Sequence, residues 1–187
     1  MPSSVINPPT NHSLAPYTGA WKNVQASHLL RRSLFGPSFQ QINQVTSVGL
    51  DTAITQLMAI PAIGQPLTYD PAETIATFGQ PWQNSPYPTD IEAAQECDTA
   101  RAKSLGAWLM YRINNEGMSI AEKMCFFWHN HFAAILSFDQ RSSYNYFDLI
   151  RQHALGNFKT LIKEMTNNTN MLEFLNGATN TFYSPNE

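Results

Sequence analysis

The sequence predicts an all-α fold, a multi-helix, bundle-like domain carrying one long Pro-rich loop. Three observations predict it. Helix-capping residues recur along the chain, each followed by apolar residues three and four positions apart. The stretch SIAEKMCFFWHNHFAAIL, residues 119–136, combines a helix-start signal with the densest aromatic cluster and two of the five histidines. No alternating apolar and polar run of useful length, no repeat and no low-complexity tract is present.

Residues 1–19 hold Pro2, Pro8, Pro9 and Pro16 among Ser, Thr and Asn, and read as an extended polar arm. A single helical domain follows over 20–187, with a short-helix subdomain at 20–60, a Pro/aromatic loop at 61–90 and the main helices at 91–187. In the subdomain Val24, Leu30 and Leu34 mark a helix stopped by Gly36-Pro37. Ser38 caps a second, with Phe39, Ile42 and Val45 inward and Gly49 at its end. Asp51 caps a third, carrying Ile54, Leu57 and Met58.

Six prolines between Pro61 and Pro88 break every period, with Tyr69, Phe78, Trp82 and Tyr87 interleaved. A loop of this length reads as a surface excursion held down by its aromatics, with a lid or rim as the functional alternative. Helical spacing returns from Ile91 through Leu105, Trp108 and Arg112 to Asn114-Asn115, and Gly117 punctuates it.

Ser119 and Glu122 then form an S-x-x-E capping box, so that the central helix begins at Ile120. Ile120, Met124, Phe127, Trp128, His131 and Ile135 make a buried stripe, with His131 inside it. At about 100° per residue, His129 sits roughly 200° away, on the flank of Glu122 and Cys125. Two histidines at i and i+2 of one helix cannot grip the same ion. Ser142 is the expected cap of the next helix, ending at Gly156; Asn157 and Thr169 start two more. Ser184-Pro185-Asn186-Glu187 is itself a helix-start signature with no helix after it, so the domain reads as incomplete at its C-terminal end.

Hydrophobic residues make up 43% of the 187, enough for a folded core, and charged residues only 13%. Eleven Lys and Arg are scattered, and Arg31-Arg32 is the only basic pair, which argues against a nucleic-acid partner. No apolar run approaches the eighteen or so residues of a membrane span. The N-terminus has neither a basic nor an apolar signal region. Cys97 and Cys125 are too few for a disulfide scaffold, and a single bridge between them stays open.

The runs HLLRRSLFGPS (28–38), EKMCFFWHNHFA (122–133) and RQHALGNFKTLI (151–162), with the terminal SPNE, resemble the large bacterial domain-of-unknown-function family 1800 (DUF1800). Members of that family are longer, and their pattern continues past the Pro-Asn-Glu step into a helix rich in Arg, Glu and Leu. Many look exported, and many sit in genomes beside a family that resembles sulfatases and phosphatases. The resemblance implies a helical fold and a cell-envelope or extracellular setting, and no established activity.

Two classes of function remain. One is an exported metal-dependent enzyme, hydrolytic or oxidative. Its divalent transition metal would be held between helices by His129 or His131, His153 and Glu187, since imidazole and carboxylate suit zinc, iron or manganese. No HExxH, paired ExxH or Gly-rich phosphate loop supports it, and no Ser or Cys has a base beside it in sequence. The plainer assignments make Glu122 a capping partner, His131 a hydrogen-bonded core histidine, His153 a helix-end residue and Cys125 core filler. They lead to the second class, a helical binding or assembly module for a protein partner.

Overall fold

The computed structural model describes residues 15–136, 139–177 and 180. Among them eight helices follow in order: α1 (Asn23–Ser33), α2 (Phe39–Val48), α3 (Leu50–Leu57), α4 (Ile91–Asn115), α5 (Ala121–Phe132), α6 (Gln140–His153), α7 (Phe158–Met165) and α8 (Thr169–Phe174). No strand is present among the described residues, and an isolated Leu67–Pro81 bridge is the sheet-like contact in the loop. The all-α fold is the one the sequence predicts. His12 and the Ser184 to Glu187 helix-start signature lie outside the described residues.

Most helix ends follow local chemistry. Ser38 caps α2 with a full capping box, its hydroxyl accepting from the Gln41 amide and Gln41 reaching back to the Ser38 amide. Asn157 and Asn168 cap α7 and α8 by accepting from the amides of Thr160 and Met171, without the reciprocal bond. Gly49 and Gly117 take positive φ of 86° and 68° at the α2–α3 and α4–α5 joints, which a β-carbon would strain. Two expected caps are displaced. Asp51 lies inside α3, whose N-cap is Gly49, and Asp139 rather than Ser142 caps α6 by accepting from the Arg141 amide. Ser142 is buried one turn into that helix.

The apolar residues gather in two clusters. Ala26, Leu30, Leu34, Val45, Ala53 and Leu57 pack α1, α2 and α3 together. Phe39, expected to face inward, is exposed, as are Ile54 and Met58, and Val45, Ala53 and Leu57 fill the cluster from α2 and α3. The larger cluster joins α4, α5, α6 and α7 through residues such as Leu105, Trp108, Tyr146, Ile150 and Leu161. Burying each such side chain contributes about 1.5–3 kcal/mol.

The Pro-rich segment is pinned to α4. Trp82 is fully buried, and its indole N–H donates to Ser104 Oγ at 2.8 Å. Trp108 Nε1 donates to the Gly64 carbonyl at 2.6 Å. Arg101, also fully buried, pairs with Glu73 and donates to the carbonyls of Ser85 and Pro86 while stacking 4.3 Å from the Tyr87 ring centre. One α4 guanidinium thus ties down two separated places, Glu73 and Ser85-Pro86, in a segment without helix or strand of its own. Tyr69 and Phe78 stay exposed at its outer edge.

Candidate functional site

The site is built where α4, α5 and α6 meet. Leu105, Trp108 and Arg112 recur at helical spacing along α4, which carries the Arg112 guanidinium into the core at 1% exposure. There its Nη2 lies 2.7 Å from Glu122 Oε2 on α5 and 3.6 Å from Cys125 Sγ, with its Cζ 4.4 Å from the Trp108 ring centre. The other Glu122 oxygen lies 2.7 Å from Arg151 Nε on α6, and Arg151 Nη2 donates to the Pro61 carbonyl at 2.6 Å. Three helices and the start of the loop are joined through one carboxylate. Two cations share a single anion, and Arg112 Nε and Nη1 are buried with no hydrogen-bond partner.

This arrangement corrects two expectations. Ser119 does accept from a first-turn amide, that of Ala121 at 3.1 Å, but Glu122 does not return to the cap. It turns into the core, because two guanidiniums there offer far stronger partners than one amide. Ser119 donates instead to the Ala59 carbonyl, the helix opens at Ala121, and Ile120 occupies the N-cap. The buried flank of α5 is therefore Ala121, Glu122 and Cys125, with His129 next along it; of the expected stripe Ile120, Met124 and Trp128 are half-buried, the last two packed on the larger cluster, while Phe127, His131 and Ile135 are exposed. His131 is exposed, Phe127 is 52% exposed and Ile135 73%.

His129 is half-buried, with its ring against Tyr146 and Phe147 and its Nδ1 3.2 Å from Tyr146 Oη. The Ala134 amide reaches the same phenol oxygen. One hydrogen joins the imidazole and the phenol, donated by either group according to the tautomer of His129. Burial lowers the His129 pKa, so the ring is neutral at pH 7. Burial also pushes the Cys125 thiol up to about 12, helped by Glu122 and opposed by Arg112 and Arg151; it is an inert thiol and not a nucleophile. Cys97 and Cys125 are both free and buried, which closes the question of a bridge between them.

The proposed metal ligands are distributed differently. His129 faces the core, while His131 stacks on Phe127 and meets Trp128 and Phe132 edge-on from the outer flank. His153 sits partly buried in the last turn of α6, and Glu187 lies outside the described residues. Among the described residues no three His, Cys, Asp or Glu side chains converge as a metal site requires.

Two concave features flank α5. One is a cavity of about 290 Å³ whose wall includes Arg112, His129, Leu109, Ile113, Leu136 and Phe147. The other is an open groove of about 400 Å³ on the outer side, between Arg32 of α1 and Lys123, Met124, Phe127 and Asn130 of α5. A wider depression beside Tyr87 carries Asp98 and Asp139. Both carboxylates are engaged there, Asp98 by Tyr87 and Gln140 and Asp139 by Arg141.

Glu116, which ends α4 as its C-cap, is a perturbed acid close to the triad. Burial pushes its carboxyl up to about 7 and nearby Glu122 adds to that, although the Phe35 amide and Lys123 oppose it. Its Oε2 is buried without a partner.

Arg112 and Arg151 were the residues hardest to assign from sequence. The available signal was a charge at an apolar register position, Arg112 four residues after Trp108, in a chain where charges are scarce. Arg101 follows the same rule, four residues before Leu105.

These features define an all-α protein whose three main helices are locked by a buried Arg–Glu–Arg triad. Residues 28–187 match the family model described as Protein of unknown function (DUF1800), and the chain belongs to that family. No curated protein and no solved structure matches it. No helix among the described residues is long and apolar enough to cross a membrane.

Proposed function

We propose that this chain is a helical docking module that receives an amphipathic helix with an acidic flank, supplied by a partner protein, on the outer face of α5. The carrying observation is the direction in which α5 faces. Its polar residues Glu122 and Cys125 are inside, while Phe126 and Phe127 are exposed and Trp128 and Phe132 half-buried. Phe35, Phe126, Phe127 and Phe158 are each between 41% and 52% exposed. Ring contacts join Phe35 to Phe126 on one side and Phe127, Trp128 and Phe158 on the other, with Phe126 and Phe127 adjacent in the chain. A contiguous apolar patch of this kind is the usual mark of an interaction surface, and a groove beside it suits a helix laid in by residues three and four apart.

Charge selects the partner's flank. Arg32 and Lys123 border the groove and form no salt bridge among the described residues; Lys123 donates only to the carbonyls of Arg31 and Leu34. A helix with Asp or Glu along one edge complements them and is steered by them. The metal-enzyme reading rests instead on Glu187 joining a histidine, and metal analysis of the purified full-length protein tests it separately.

A helical-peptide display library selected against the chain, with a Phe127→Asp variant as counter-selection, tests the proposal. Enriched peptides should be amphipathic and acidic-flanked, should bind more weakly as salt rises, and should be lost with Phe127→Asp at an unchanged melting temperature. Enrichment of basic or non-helical sequences, or none that distinguishes the variant, overturns it. A concentration-dependent dimer in sedimentation, dissolved by Phe127→Asp, would assign the face to a second copy of the chain and equally overturn it.

A further inference from the structure

A second groove, of about 510 Å³, runs between α1 and α2 and shares only Arg32 with the docking groove beside α5. Helical spacing explains what lines it. Ala26, Leu30 and Ser33 turn into the small cluster, so Val24, His28 and Arg31, at steps of four and three, stand on the opposite, solvent side of α1. The capping box of Ser38 starts α2 and leaves Phe39 outside at its first position. Val24 and Phe39 are 71% and 74% exposed, more than any aromatic of the α5 face. Charge is distributed as unevenly. Residues 1–60 hold three cations, Lys22, Arg31 and Arg32, against one acid, Asp51, in a chain whose net charge is −3. Neither α1 nor α2 contains an acidic residue, and Arg31 and Arg32 form no salt bridge among the described residues.

We propose that the α1–α2 face docks peripherally on an anionic lipid bilayer, with Val24 and Phe39 entering the interface and Arg31 and Arg32 taking lipid phosphates. A helix laid on protein is gripped by half-buried walls. Side chains that stand almost clear of the surface find few protein contacts, but they are buried readily at the boundary between headgroups and acyl chains. The planar guanidinium fork matches a phosphate, and an anionic leaflet draws in clustered Lys and Arg. Free phosphate would answer the guanidiniums and leave Val24 and Phe39 in water. The acid excess of the rest of the chain opposes adsorption by its other faces, so the molecule is oriented with α1 and α2 against the lipid. Two bonds tie the helices together behind this face: Asn23 Nδ2 donates to Asn43 Oδ1 at 3.3 Å, and Trp21 Nε1 to the Val45 carbonyl at 3.1 Å. The two apolar prongs therefore keep a fixed separation.

The test is co-sedimentation of the full chain with vesicles of phosphatidylcholine containing about 30% phosphatidylglycerol, run beside vesicles of phosphatidylcholine alone. Partition into the anionic vesicles should be at least tenfold stronger and should fall as salt rises. Each basic residue at an anionic surface strengthens binding about fivefold, so Arg31→Ser should weaken it about fivefold and the Arg31→Ser, Arg32→Ser double variant about twenty-five-fold. Phe39→Ser should weaken it at least tenfold through the lost apolar contact. All three side chains are exposed, so the variants should melt where the parent does. The proposal is overturned by the absence of partition, by equal partition into the two kinds of vesicle, by full retention in Phe39→Ser, or by loss of binding in millimolar inorganic phosphate, which would assign the patch to a free anion. Capture by soluble polyglutamate as strong as by the vesicles, and indifferent to Phe39→Ser, would assign it to an acidic protein and equally overturn it. Phe127→Asp should leave partition unaltered, and Phe39→Ser should leave peptide selection on the α5 face unaltered, so that failure of one surface is distinguishable from failure of the other.

Discussion

Replacing Glu122 by Gln keeps the volume of the side chain and removes its charge, which isolates what the triad contributes. Arg112 is 1% exposed and already has two nitrogens without partners, so the variant leaves a buried cation with no counter-ion. Arg151 is 12% exposed and keeps its bond to the Pro61 carbonyl, so its share of the loss is smaller. Breaking a buried ion pair by removing one member costs about 3–5 kcal/mol. Against a total stability of about 5–15 kcal/mol, that is a large fraction. For a chain of this length each kcal/mol moves the melting temperature by about 2–4 °C, so a fall of roughly 6–20 °C is expected. Thermal unfolding followed by circular dichroism at 222 nm reads that fall, and urea denaturation reads the loss of stability from the midpoint. Lys103→Ala, which removes an exposed partner of Asp70, serves as a control and should leave the midpoint where it was. A Glu122→Gln midpoint as close to the parent as that control would refute the view that one carboxylate locks three helices. A compensating Glu122→Gln, Arg112→Met double variant should recover part of the loss, since the stranded cation is then gone.

Four further outcomes follow from the same geometry. Glu116 has a folded pKa raised to about 7, so the folded state favours its protonated form. Stability from this group is fully present below about pH 4.5 and is lost as pH rises to 7; Glu116→Gln should therefore gain on the order of 1–3 kcal/mol over the parent at pH 8 and almost nothing at pH 4.5. Glu73 behaves in the opposite sense: burial alone would raise it, but Arg101, Cys97 and the amides of Ala76 and Ile75 together hold it at about 2. Its contribution is present above about pH 4.5 and lost as pH falls toward 2, and Glu73→Gln should flatten that acid limb in a pH-stability profile. Arg101→Lys cannot hold Glu73, Ser85 and Pro86 at once, so limited proteolysis should cut within residues 61–90 at least tenfold faster than in the parent. Neither cysteine should react with a thiol reagent in the folded chain at pH 8, and both should react in urea, because burial pushes both up to about 12.

Helix boundaries were legible because the residues that set them act locally. Gly36-Pro37, Ser38 with Gln41, Gly49, Gly117 and Asn157 each fix a turn through their own backbone preference or a bond three residues away. The run from Ile91 to Asn115 was legible for the same reason. Which side of a helix is buried was not, because that depends on partners far along the chain. On α5 both flanks are rich in apolar residues, and the decision falls to Glu122. Its S-x-x-E spacing is equally that of a capping box and of a buried carboxylate, and only Arg112 and Arg151, ten and twenty-nine positions away, separate the two. Once Glu122 goes in, Cys125 and His129 follow it and His131 must go out. The two histidines of α5 thus exchange places, His129 toward the core and His131 outside. The cap of α6 failed on a smaller scale: Asp139, a stronger acceptor than Ser142, starts the helix three residues earlier.

The direction α5 faces supports the docking proposal, and hydroxyl-radical footprinting of the native full chain with residue-level mass spectrometry reads it directly. Phe127 and His131 should be oxidised at rates close to those in the unfolded chain, while Cys125 is protected and His129 intermediate. Protection of Phe127 and His131 together with rapid oxidation of Cys125 would mean that the helix is turned the other way, and the docking reading would fail with it.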